Sequence, residues 1–314
     1  MSRACVAYPP DRLILREVGL RDGLQMVETF PSTAAKLDWL TREFAAGVTH
    51  FEVGSFLPAK VMPQFADVRE VIGVCHGMKA HSAALALNER GALDALQTPV
   101  SEIVTVVSAT EEHSQANARR SRADAIALVA KTAELAQTSE ARPLVQAGIS
   151  MAFGCSIAGP VDPDDVVRLA VDCAKAGADI IGLADTVGFA GPDQIADLIF
   201  RVQNELGDTV LSIHLHDTRG MGIANASAAL DAGIRVIDGS MGGLGGCPFA
   251  PGATGNIVFE DLVYLCERKG FATGIDLEKL ISVREITASE MPDEQLYGAL
   301  SRAGPPRQIG WRAQ

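Results

Sequence analysis

The chain has 314 residues, of which 47% are hydrophobic and 21% charged, enough for a sizeable core and too apolar for a disordered polypeptide. Its 27 basic and 39 acidic residues leave a formal charge of −12, and 5% of residues are aromatic. An acidic surface with few stacking platforms argues against nucleic acid or an anionic membrane as the main partner.

Residues 1–10 hold one arginine and no apolar run of signal-peptide length, and no window approaches the roughly 18 apolar residues of a membrane span. Six cysteines without a CxxC pair read as reduced thiols, so a cytoplasmic protein is expected. From there the chain alternates. Short β-branched runs predict strands at Leu13–Val18, His50–Gly54, Lys79–Leu85, Glu102–Val107, Leu144–Met151, Asp179–Ala184, Val210–His216 and Val236–Gly239. Longer Ala/Leu-rich stretches predict helices at Thr33–Ala46, Asn88–Leu96, Arg122–Gln137, Pro163–Ala176, Pro192–Leu206 and Met221–Ala232. Ser32, Ser121 and Asp162 stand where N-caps belong, and Gly47, Gly177 and Gly233 where helices stop. Eight strand–helix units in about 250 residues predict an α/β fold, a (β/α)8 TIM barrel over residues 1–256. Residues 257–314 are expected as C-terminal helices and a tail packed on it.

In such a barrel the active site lies at the C-terminal ends of the strands. The loop after strand 1 reads Gly19-Leu20-Arg21-Asp22-Gly23, with an arginine suited to an oxyanion beside a carboxylate suited to a metal, or else a capped turn with a surface ion pair. Glu52 interrupts strand 2 near its catalytic end, where a charge needs a partner, and Arg21 is the expected one. His214 and His216 alternate with Ile213 and Leu215, so both imidazoles face the barrel interior. The loop after strand 8, Gly242-Gly243-Leu244-Gly245-Gly246-Cys247-Pro248, can approach a ligand closely, and Cys247 at its tip can move a proton. Asn256 follows with an amide oxygen. Asp22, His214, His216 and Asn256 make a mixed ligand set suited to Mg²⁺ or Mn²⁺ ahead of Zn²⁺.

These motifs together, with Ser55-Phe56 and Pro63-Gln64, resemble the 3-hydroxy-3-methylglutaryl-CoA lyase family of metal-dependent TIM-barrel enzymes over residues 13 to 280. The resemblance implies retro-Claisen cleavage of a 3-hydroxyacyl-CoA to acetyl-CoA and a keto acid. It implies a divalent cation on Asp22, His214, His216 and Asn256, with Arg21 at the thioester oxygen. Glu52 would orient Arg21, Cys247 would act in proton transfer, and Asp185 would join the same polar cluster; His214 serves both metal and catalysis. Two loops depart from the family pattern, Gly154-Cys155-Ser156-Ile157-Ala158-Gly159 and Glu111–Asn117, which makes a related substrate such as citramalyl-CoA an alternative. A synthase condensing acetyl-CoA with an α-keto acid is a further alternative, against which the short C-terminal tail speaks. A homodimer is expected.

Overall fold

The computed structural model describes residues 2–245 and 255–306. Eight parallel strands close into one barrel in sequence order: β1 (Ile14–Glu17), β2 (His50–Ser55), β3 (His81–Leu85), β4 (Glu102–Ser108), β5 (Leu144–Ser150), β6 (Ile180–Asp185), β7 (Val210–Leu215) and β8 (Val236–Gly239), with β8 pairing back onto β1. This is the expected TIM barrel.

Helix α1 (Arg3–Ala7) precedes β1. Between the strands lie α2 (Thr33–Ala46), α3 (Val68–Gly77), α4 (Glu89–Ala95), α5 (Glu111–Ala118), α6 (Arg122–Thr138), α7 (Pro163–Lys175), α8 (Pro192–Leu206) and α9 (Gly222–Asp231). Helices α10 (Phe259–Arg268), α11 (Leu277–Ser282), α12 (Arg284–Glu290) and α13 (Ala299–Ala303) follow β8. The expected caps form: the side chains of Ser32, Ser121 and Asp162 accept from the amides of Ala35, Asp124 and Asp164. Gly47 ends α2 at φ 108°, and a Cβ there would lie 2.3 Å from the Gly274 carbonyl oxygen, so a bare backbone is needed where the C-terminal segment crosses α2.

Besides the five-residue α1, two helices fall where the sequence reading placed none. Helix α3 buries Val68, Val71, Ile72 and Cys75 on one stripe, but Gly73 and Gly77 weaken its signal. Helix α5 has almost no apolar face; it forms because the Thr110 side chain accepts from the His113 amide and Glu111 and Glu112 sit in its first turn.

The strands pack outward through Phe51, Ile103, Ile149, Ile181, Leu183 and Ile213, all completely buried. The barrel interior is instead strongly polar. Arg16 from β1, Glu102 from β4, Gln146 from β5 and Asp238 from β8 meet there, each no more than 5% exposed. No described helix is long and apolar enough to cross a membrane.

Candidate active site

The turn after β1 is a single π-helical turn, Gly19–Gly23, in which the amides of Arg21, Asp22 and Gly23 all reach the Val18 carbonyl. Buried Glu17 anchors it from below, its Oε1 accepting from the Gly19 amide at 2.8 Å and the Met241 amide at 3.0 Å. One carboxylate therefore ties the Arg21–Asp22 turn to the base of the glycine loop after β8. Burial pushes the Glu17 carboxyl up to about 8 against the pull of those two amides.

Arg21 and Glu52 meet as the sequence reading expected, Nε donating to Glu52 Oε1 at 2.7 Å. Arg21 Nη1 donates to Asp22 Oδ1 and, at 3.2 Å, to Gln25 Oε1. Nη2 has no partner among the described residues, so a fixed guanidinium keeps two N–H groups for a ligand. Glu52 is 3% exposed; burial raises its pKa, and Arg21 opposes the rise. Burial also favours the neutral form of Asp22, but Arg21, His214 and His216 outweigh it and hold that carboxyl well below the usual range.

Asp22 Oδ2 lies 3.8 Å from His214 Nε2 and 3.9 Å from His216 Nε2, and the two ring nitrogens are 3.1 Å apart. One ligand atom from each of the three residues falls within 4.8 Å of the others. Strand β7 ends at Leu215, one residue short of expectation, because His216 leaves the ladder to form an isolated bridge with Asn256. That bridge brings the amide to the site: Asn256 Nδ2 donates to Asp22 Oδ2 at 2.8 Å and to the Leu244 carbonyl at 2.9 Å. Asn256 Oδ1 and His216 Nδ1 are buried without partners among the described residues. A Cβ on Gly245 would lie 2.5 Å from Asn256 Nδ2, so glycine makes room for the amide. Two imidazoles, a carboxylate and an orphaned amide oxygen suit a hard divalent cation. Burial lowers His216 to about 4, which keeps that imidazole neutral and able to ligate at neutral pH.

A cavity of about 230 Å³ opens beside this cluster at the barrel mouth. One side is polar, formed by Arg21, Asp22, Glu52, His214 and His216. The other is hydrocarbon, formed by Leu85, Leu87, Val104 and Val106 from β3, β4 and their ends. His113 and Asn117 reach it from α5.

Asp185 is not among the cavity residues. Its carboxylate is 1% exposed and accepts from the amides of Phe189 at 2.8 Å and Ala190 at 3.2 Å, so it shapes the loop after β6. Cys247 lies outside the described residues. The sequence reading missed the floor of the cavity: Asp238 Oδ2 accepts from His214 Nδ1 at 3.2 Å, and Arg16 holds Asp238. The available signal was the one used for Glu52, a charge interrupting an apolar strand.

The model of the HMGL-like family matches residues 12–287. A hydroxymethylglutaryl-CoA lyase of Bacillus subtilis is 34% identical over 90% of this chain and 94% of its own length. An (R)-citramalyl-CoA lyase of Chloroflexus aurantiacus is also 34% identical, over 92% of this chain and 94% of its own. The structure of an HMG-CoA lyase from Acinetobacter baumannii, in complex with coenzyme A and 3-methylmalate, superposes with a TM-score of 0.87 at 34% identity. That match covers 96% of this chain and 98% of that one.

Proposed function

The chain belongs to the HMGL-like family, and from that premise we propose that it is a divalent-metal-dependent carbon–carbon lyase cleaving a 3-hydroxyacyl-CoA by a retro-Claisen reaction into acetyl-CoA and a keto acid. The observation that carries this reading is the juxtaposition in one turn of Arg21, with Nη2 open, and Asp22, facing His214 and His216. Cleavage must remove a proton from the 3-hydroxyl, break the C2–C3 bond and place the electron pair on the thioester as an enolate. The hydroxyl carbon becomes a ketone, and the enolate carbon takes up a proton to give acetyl-CoA.

Arg21 meets the charge that develops on the thioester oxygen. It is held by Glu52 and Asp22, stays protonated in a buried site, and presents Nη2 without reorganising. Asp22, His214, His216 and Asn256 would hold the cation, which supplies Lewis acidity toward the substrate hydroxyl. Cys247 is assigned to proton transfer. The acyl substituent faces the Leu85, Leu87, Val104 and Val106 wall. The relatives' names support a 3-hydroxyacyl-CoA as substrate, with 3-hydroxy-3-methylglutaryl-CoA and citramalyl-CoA as the two leading acyl groups. A cytoplasmic homodimer completes the reading.

The test is a coupled assay for acetyl-CoA release across a panel of 3-hydroxyacyl-CoAs containing both, with Mg²⁺ or Mn²⁺. Release that depends on added metal is expected for at least one substrate. Faster condensation of acetyl-CoA with an α-keto acid, or no release from any member, would replace the lyase reading.

A further inference from the structure

The interior of the barrel carries a line of charges running from its closed end to the candidate site. At the closed end the Tyr8 hydroxyl donates to Glu102 Oε2 at 2.7 Å, and His81 Nε2 lies 3.1 Å from the same oxygen. Glu102 Oε1 accepts from Arg16 Nη1 at 2.8 Å, and the same nitrogen donates to Gln146 Oε1 at 2.9 Å. The opposite edge of the guanidinium grips Asp238 with both arms, Nε to Oδ1 at 2.8 Å and Nη2 to Oδ2 at 3.1 Å. Asp238 Oδ2 then meets His214 Nδ1 at 3.2 Å.

We infer that Arg16 and Asp238 are positioning residues for His214: the bidentate ion pair fixes the carboxylate beneath the ring, places the ring proton on Nδ1, and leaves the Nε2 lone pair aimed at Asp22 and His216. The inference rests on the metal reading above and adds residues to it. Three observations converge on it. The pair is enclosed, with Arg16 1% and Asp238 4% exposed, so the contact is not diluted by water. A guanidinium that already spends two edges on Glu102, Gln146 and Asp238 cannot rotate away, and a carboxylate gripped at both oxygens cannot either. The two histidines also differ. His214 has an ionic partner behind it, whereas His216 Nδ1 is buried with none among the described residues. The imidazole backed by a carboxylate is the preorganised ligand, and its partner adjusts to it.

The experiment uses the metal-free full chain and Mn²⁺ as the probe. Free Mn²⁺ is read by electron paramagnetic resonance, and the His214 tautomer by long-range ¹H–¹⁵N spectra of protein labelled at histidine nitrogen. A His214→Ala, His216→Ala double variant sets the zero for binding. Asp238→Asn is expected to weaken Mn²⁺ binding by about 10–100-fold and to shift the His214 proton away from Nδ1. Arg16→Lys keeps the buried charge but cannot span both oxygens, and is expected to weaken binding in the same direction. If Asp238→Asn does not fold, Arg16→Lys carries the test. A purely structural pair would lower the melting temperature of the metal-free protein and leave affinity and tautomer untouched. Affinities within twofold of wild type in the folded variants, or a wild-type His214 already protonated on Nε2, would overturn the inference. Wild-type protein that binds no Mn²⁺ would defeat the metal reading instead, and the tautomer result alone would then decide the role of Asp238.

Discussion

Arg21 serves both the chemistry and the charge balance of the fold, and two replacements tell the two apart. Its replacement by Lys retains a cation in the turn but offers one compact ammonium where the guanidinium reaches Glu52, Asp22 and Gln25 and still keeps Nη2 open. An ammonium has three N–H groups, and one that keeps all three contacts, to Glu52, Asp22 and Gln25, has none left for the thioester oxygen. Loss of one preorganised oxyanion donor costs on the order of 10²–10³ in kcat. Because the interaction strengthens only as charge develops, kcat falls and KM moves little. Arg21→Met goes further, since it strands Glu52, 3% exposed, and Asp22 without their cation. Breaking such a buried pair from one side costs roughly 3–5 kcal/mol. At about 2.1 cal/mol/K per residue of unfolding entropy, that lowers the melting temperature by about 5–8 °C. The assay is acetyl-CoA release at saturating metal, paired with thermal unfolding of each variant. Arg21→Lys retaining more than a tenth of wild-type kcat would refute the enolate role. Arg21→Met melting with wild type would refute the argument that the guanidinium is the counterion of both carboxylates.

Further outcomes follow from the same geometry. Cys247→Ser slows turnover while leaving Mn²⁺ bound at wild-type stoichiometry, checked by elemental analysis; an unaltered rate would remove the thiol from proton transfer. Glu17, raised to about 8 in the folded state, contributes stability that is full below its unfolded pKa near 4.5 and is lost as pH rises through 8. Glu17→Gln is therefore expected to flatten the fall in melting temperature between pH 5 and 9, and an identical slope in the variant would show that another group sets it.

The barrel was legible because its signals are local and repeated: caps at Ser32, Ser121 and Asp162, and eight apolar runs between helical stretches. Arg21 with Glu52, and His214 with His216, could be paired from strand order and alternation alone. What stayed hidden depends on the far side of the barrel. Arg16 meets Glu102 86 positions away and Asp238 222 away, separations over which no pattern in one strand reports. Asp185 is harder to read, because a carboxylate at a strand end suits either a ligand or a loop; it accepts from the Phe189 and Ala190 amides while remaining within the electrostatic reach of His214. Helix α5 escaped because its stability resides in a cap rather than in an apolar stripe.

The cluster of Tyr8, His50 and His81 at the closed end, with ring centroids 4.9–5.3 Å apart, has a consequence for anyone re-engineering this scaffold. In TIM barrels the face opposite the active site is commonly treated as free territory for stabilising changes. Here Tyr8 and His81 hold Glu102, which holds Arg16, which reaches Asp238 and His214. Grafts, fusions or surface redesign at this end would act on the metal-facing imidazole from across the whole depth of the barrel, so the two ends of the molecule have to be optimised as one object.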